Sequence, residues 1–156
     1  MSDTNPDGDT VVEQLRAAFP TVSFRMVDPG VPSCVVPTEQ VADVASFLKS
    51  TPGLDFNYLA SITAIDYLDR FDVVYQIRSL VHNQDFIFRV EVDRDGATVP
   101  SVTRTWRAAD FQEREIFDLM GLEFSGHPNL SRILLYDEFD GHPLRKDWRL
   151  PAEPRS

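Results

Sequence analysis

The sequence predicts an α+β domain, a small mixed or antiparallel sheet packed with about three helices, followed by an irregular extended C-terminal segment. Three observations lead there. The 156 residues are 42% hydrophobic with 11 Phe, which at about 150 residues per domain is one globular unit with material for a core. Helical spacing and strand alternation fall in separate runs along the chain. After Gly121 both periods vanish while Gly and Pro recur. The expected divisions are a flexible acidic lead-in over 1–9, an α+β domain over 10–121, and an extended segment over 122–156 that docks on a partner.

Thr10-Val11-Val12-Glu13 reads as a capping box, starting a helix over about 11–19 that stops before Pro20. Val22, Phe24 and Met26 alternate with Ser23 and Arg25, and after the Asp28-Pro29-Gly30 turn signal a second short strand covers 33–36, giving a hairpin. Val41, Val44, Ala45 and Leu48 stand at i, i+3, i+4 and i+7 behind Thr38 as N-cap, and Thr51-Pro52-Gly53 ends that helix. Three strands follow over roughly 58–68, 71–81 and 85–92, the last with Phe86, Phe88, Val90 and Val92 on one face. The aromatics between 56 and 88 fit sheet packing better than a ligand pocket. Residues 99–106 form a further extended piece that Pro100 demotes to an edge.

The next helix opens on a second capping box, Asp110-Phe111-Gln112-Glu113, and stops at Gly121. Phe111, Glu115 and Leu119 form one stripe, and Gln112, Ile116 and Met120 form its neighbour. Arg114 and Asp118 remain for the polar side, as a solvated i, i+4 pair worth about 0.2–0.5 kcal/mol. Glu113 and Glu115 are thus flanked by apolar residues and are expected to be buried structural carboxylates, held by an arginine or backbone donors. Beyond Gly121 come Gly126-His127-Pro128, Ile133-Leu134-Leu135-Tyr136, Gly141-His142-Pro143 and Leu144-Arg145-Lys146-Asp147-Trp148. Such a segment makes no layer of its own and must lie across its own domain or a partner.

Charge and motifs narrow the function. The net charge is −10, with −8 over residues 1–100 and −2 over 101–156, the opposite of the basic footprint that nucleic-acid binding needs. Cys34 is the sole cysteine, so an internal disulfide, a C-x-x-C pair and an all-cysteine iron–sulfur site are excluded. No run of about 18 apolar residues and no signal or transit profile occurs, so a soluble cytoplasmic domain is expected. The seven isolated glycines make no dinucleotide or triphosphate cradle. A nucleophile–His–acid triad lacks any marking elbow. His127 and His142 with Asp137, Glu138 and Asp140 could be imagined as a metal site, in a stand-alone hydrolase. Without a ligand spacing, each Gly-His-Pro reads instead as a turn whose histidine serves a carbonyl.

The stretch Trp106-Arg107-Ala108-Ala109-Asp110-Phe111-Gln112-Glu113-Arg114-Glu115-Ile116-Phe117-Asp118-Leu119-Met120-Gly121, then Phe124-Ser125-Gly126-His127-Pro128-Asn129-Leu130-Ser131-Arg132-Ile133-Leu134, then Gly141-His142-Pro143-Leu144-Arg145-Lys146-Asp147, closely resembles the C subunit of bacterial NADH–quinone oxidoreductase. That is the thirty-kilodalton subunit family of respiratory complex I. Ser61 to Tyr67 and Phe71 to Tyr75 are similar to its central strands. The resemblance implies a non-redox structural subunit of the peripheral arm, on the cytoplasmic side of the bacterial plasma (inner) membrane. It has no active site or cofactor of its own and reaches the membrane only through the complex. Two partners are further implied, the hydrogenase-like subunit and the one that forms the quinone pocket with it. The enzyme as a whole passes electrons from NADH through FMN and iron–sulfur clusters to quinone and translocates protons. The expected partner-interface residues are Arg114, His127, Pro128, Arg132, His142, Pro143, Leu144, Arg145, Lys146 and Asp147, with Arg145 suited to bidentate carboxylate pairing. The short stretch after Asp147 is similar to relatives in ferredoxin-linked quinone oxidoreductases and membrane-bound hydrogenases, which are the alternative.

Overall fold

A computed structural model describes residues 8–22, 24–28, 31–135 and 139–149. Helix α1 runs Gly8–Ala18, and strands β1 (Arg25–Asp28) and β2 (Val31–Val35) form an antiparallel hairpin. A 3-10 turn at Thr38–Gln40 leads into α2, Val41–Ser50. Strands β3 (Tyr58–Asp66), β4 (Arg70–Ser79) and β5 (Gln84–Asp93) form an antiparallel meander. β6 (Thr98–Pro100), α3 (Ala109–Met120) and β7 (Glu123–Ser125) complete the set.

The main sheet has the order β1-β2-β5-β4-β3, with β2 parallel to β5 and the other pairings antiparallel. It is the α+β arrangement that the sequence predicts. β6 and β7 make a separate two-stranded parallel sheet. Phe56, Phe71, Tyr75, Phe86 and Phe88 fill the core with Leu15 and Leu48. Tyr75 and Phe88, cross-strand partners, stack with centroids 4.6 Å apart. Val41, Val44, Ala45 and Leu48 are buried as their spacing requires, and so are Phe86, Phe88, Val90 and Val92. Burial pushes the Cys34 thiol up to about 12, against a small opposing effect of the Arg16 charge, so at neutral pH it is an inert core group.

Both capping-box readings are corrected. α1 begins two residues before Thr10. α3 has Ala108 as N-cap without a side-chain bond, because the Glu113 carboxylate is engaged elsewhere. Thr38 does not cap α2 either; its hydroxyl points to the Glu91 carbonyl at 3.5 Å. The extended piece at 99–106 shortens to β6 followed by turns. β3 loses strict alternation because a bulge between Leu59 and Ser61 shifts its register. The lead-in up to residue 7, Tyr136 to Glu138 and residues 150–156 lie outside the described residues.

Candidate functional site

Helix α3 is held at both ends by the two Gly-His-Pro turns. At its start, the buried His127 ring accepts the Asn129 N–H on Nδ1 at 2.9 Å, which leaves the proton on Nε2. That Nε2–H points at Asp110, 3.0 Å from Oδ1 and 3.3 Å from the backbone carbonyl. At its end, four carbonyls would lack helical partners. Phe117 O accepts Gly121 N–H at 2.9 Å and Asp118 O faces His142 Nδ1 at 3.2 Å. Leu119 O accepts Leu144 N–H at 3.0 Å, and Met120 O accepts Arg145 Nε–H at 2.6 Å. Gly-His-Pro-Leu-Arg is therefore a helix cap supplied from 20 or more residues away, with the Arg145 charge at the negative end of the helix dipole. Both histidines serve a carbonyl, and among the described residues no three His, Cys, Asp or Glu side chains converge as a metal site would need.

Gly121 is the hinge of this cap. It sits at φ +79, and a Cβ there would lie 2.6 Å from His142 Cδ2 and 2.7 Å from Arg145 Nη2. Gly121→Ala therefore combines left-handed strain with loss of two cap contacts. The expected cost is about 2 kcal/mol in a urea melt followed by circular dichroism.

Between the caps, two acids bind the chain to itself. Asp118, fully buried, accepts the N–H groups of Ile133, Leu134 and Leu135 on Oδ2 at 3.3, 2.8 and 2.9 Å. Arg132 Nε lies 3.5 Å from its other oxygen, while the Arg132 guanidinium also donates to Phe139 O at 2.9 Å. Arg114 donates to the carbonyl and hydroxyl of Ser131, both at 3.1 Å. Arg114 and Asp118 thus do not form the solvated pair expected of them, because residues 131–135 cover that side of the helix. Asp66, at the end of β3, accepts Leu68 N–H at 2.7 Å, Lys146 N–H at 2.8 Å and the Arg94 guanidinium. Arg94 also pairs with Asp147 at 2.7 Å. The Arg94 and Arg145 guanidiniums both pack on the Phe71 ring, 4.9 and 5.3 Å from its centroid. Burial alone would push the Asp66 carboxyl up; the Arg94 and backbone donors reverse this and bring it to about 2.

Glu113 is buried as expected, with Ser101 Oγ donating at 2.7 Å, Val102 N–H at 2.8 Å and His127 Nε2 at 4.0 Å. Burial, the largest influence, raises its carboxyl above the ordinary value despite those donors. The folded pKa exceeds the unfolded one, so its contribution to stability is full below the unfolded pKa and is lost as pH rises through the folded one. Glu113→Gln should cost under about 1 kcal/mol at pH 7 and abolish that decline, whereas Glu113→Ala should cost about 2–3 kcal/mol by orphaning Val102 N–H. Urea melts at pH 5 and pH 7.5 check both.

Glu115 is corrected: it is exposed, on the stripe of Phe111, away from the core-facing stripe of Ala109, Ile116 and Met120. Of the expected interface residues, Arg114, His127, Arg132, His142, Arg145 and Asp147 have contacts within the chain, and Arg145 is turned onto Met120 and Phe71 rather than outward. Pro128, Leu144 and the Lys146 side chain face solvent, and Pro143 is half-buried. Asp66, Arg94, Asp118 and Ser131 were not singled out in the sequence. The outer surface left by this arrangement carries Phe111 (61% exposed), Leu134 (58%) and Leu144 (58%), an apolar set on and around a helix whose polar groups are turned inward.

The family described as "Respiratory-chain NADH dehydrogenase, 30 Kd subunit" matches residues 34–154. The chain is 45% identical to the C subunit of the NADH-quinone oxidoreductase of Moorella thermoacetica, over 93% of its own length and 97% of the relative's. It is 43% identical to the corresponding C subunit of a Roseiflexus species, over 94% and 87%. Among solved structures, it is similar to the trypsin-resistant fragment of Nqo5, with a TM-score of 0.66, 34% identity and coverage of 78% of this chain and 98% of that one. A chain of the membrane-bound sulfane sulfur reductase, an archaeal respiratory membrane complex, shares the fold at a TM-score of 0.75, with 22% identity over 92% of this chain and 86% of that one.

Proposed function

The chain belongs to the family of the 30 Kd subunit of respiratory-chain NADH dehydrogenase, and from that premise we propose how it works there. It is a subunit of the peripheral arm of an NADH–quinone oxidoreductase, the enzyme that carries electrons from NADH through FMN and iron–sulfur clusters to quinone. In it this chain is a redox-silent scaffold. It sits on the cytoplasmic side of the bacterial plasma membrane. There it presents α3 and the segment folded over it to the hydrogenase-like subunit, and next to that to its partner in the quinone pocket.

The observation that carries this reading is the segment after Gly121. Its polar groups cap α3 and bind Asp66 and Asp118, while Phe111, Leu134, Leu144, Pro128 and Lys146 are left outward. Such a surface is shaped for another protein and has no cluster poised for chemistry. The chemistry of the residues agrees: the single thiol is buried and protonated, and the described histidines at 127 and 142 are occupied by backbone groups. No helix among the described residues is long and apolar enough to cross a membrane, so the membrane is reached through other subunits.

Deleting the gene in its own host tests this. The NADH–quinone activity of isolated membranes should disappear and return on complementation, with the hydrogenase-like subunit lost from the membrane fraction. Loss of hydrogen- or ferredoxin-driven quinone reduction instead, with NADH oxidation untouched, would move the chain to the ferredoxin-linked or hydrogenase-type complexes.

A further inference from the structure

The outer edge of β3 is closed in two places and open between them. β3 is the terminal strand of the main sheet, and such an edge templates pairing with another chain unless it is blunted. At Ile62 the outward N–H is taken by Gln112 Oε1 at 2.5 Å, a side-chain amide standing in for one ladder bond. At Asp66 the end of the strand is tied to Lys146. Two residues along from Ile62, Ala64 presents its own N–H and C=O to the same side.

Over this gap lies a groove of about 150 Å³, walled by Ile116, Leu119, Met120 and Leu144 and bounded by Thr63 and Glu115. Glu115 has no hydrogen bond or ion pair among the described residues. It is the one carboxylate on an otherwise apolar wall.

We propose that this gap takes an extended segment of a neighbouring subunit, paired with the β3 edge at Ala64, with one apolar side chain in the groove and a lysine or arginine on Glu115. The charge assignment follows from the unpaired Glu115 in a chain of net charge −10. The spacing fits too. On a strand, residues i and i+2 point the same way about 7 Å apart, and on α3 Glu115 and Leu119 are separated by about 6 Å. The groove volume holds a side chain of leucine or methionine size. This is strand addition, with main-chain bonds for affinity and one pocket and one charge for selectivity. It rests on the reading of the chain as an assembly subunit and names a contact of that assembly.

The test is photo-crosslinking in membranes, with a photoreactive phenylalanine analogue at Thr63, followed by mild-detergent purification and mass spectrometry of the linked peptide. The expected result is a link to a non-helical segment of another subunit that carries a lysine or arginine beside an apolar residue. Glu115→Arg should lower its yield about tenfold or more. Ala64→Pro, tolerated by the fold because the N–H it removes points outward, should lower the yield while the purified chain melts as the wild type does. Co-purification with the other subunits but no link from position 63, or a link to a helix or an acidic segment, would overturn the proposal and leave the assembly reading intact. Elution without other subunits would overturn both.

Discussion

Asp118→Ala should free the C-terminal segment from the domain. In the wild type, one buried oxygen accepts three consecutive N–H groups, from residues 133–135, a nest-like arrangement around a charged acceptor. Removing the carboxylate orphans all three and leaves Arg132 without its nearby charge. Hydrogen bonds to a charged group are worth about 1.5–3 kcal/mol each and do not add, so a total near 3 kcal/mol is expected. The segment is the element that pays that cost, by detaching from α3. Limited trypsin digestion should then cut at Arg132, Arg145 and Lys146 at least about tenfold faster, following the population of the open form, while the sheet core stays cooperative in a urea melt. Asp118→Asn, which keeps one acceptor oxygen and loses the charge, should fall between.

Asp66→Asn should be the second large effect, and it reaches the same segment from the other side. The carboxylate joins Arg94, Leu68 and Lys146, the last 80 residues away in the chain. Its loss leaves a half-buried Arg94 with Asp147 alone and removes the anchor of 146. The expected cost is about 3 kcal/mol, as for breaking a buried pair by removing one partner. The wild type carries a pH signature of this site. The folded carboxyl titrates at about 2, below the ordinary 3.8, so its stabilisation is present above the unfolded pKa and is lost as pH falls through the folded one. Urea melts at pH 7, 4 and 2.5 should show the wild type losing stability most steeply in the lowest interval, and Asp66→Asn losing less there. Glu113 acts in the opposite sense, which separates the two contributions.

Sequence reading succeeded where a contact is local or periodic. The α2 stripe, the alternating face of β5 and the stop at Gly121 follow from spacing within one element, and all three are present. Glu113 was legible as a buried acid because it is surrounded by apolar neighbours. Its bonds were not, since Ser101 and Val102 lie in a turn that no period marks. Glu115 failed for a geometric reason: two residues further along a helix lie about 200° around it, so Glu113 and Glu115 cannot share one core. Asp118 was hidden by Arg114, its i, i+4 neighbour, which makes any helix look solvated on that side. The two Gly-His-Pro turns were legible as turns whose histidines meet carbonyls. That the carbonyl and carboxylate belong to opposite ends of α3 required the tertiary fold. The main misreading was of direction: the charged residues from Arg114 to Asp147, expected to point at a partner, mostly hold the segment in place, and the apolar residues between them are what faces out.

The account stands on the claim that this surface is built for a neighbouring subunit. The most direct measurement is a mild-detergent pull-down of the tagged chain from its own membranes, with mass spectrometry of what co-elutes and an NADH–quinone assay of the eluate. Co-elution of the hydrogenase-like, iron–sulfur and flavin subunits with NADH activity is the predicted result, and the yield should collapse for Asp118→Ala. Elution of the wild-type chain as a lone soluble monomer would contradict the account.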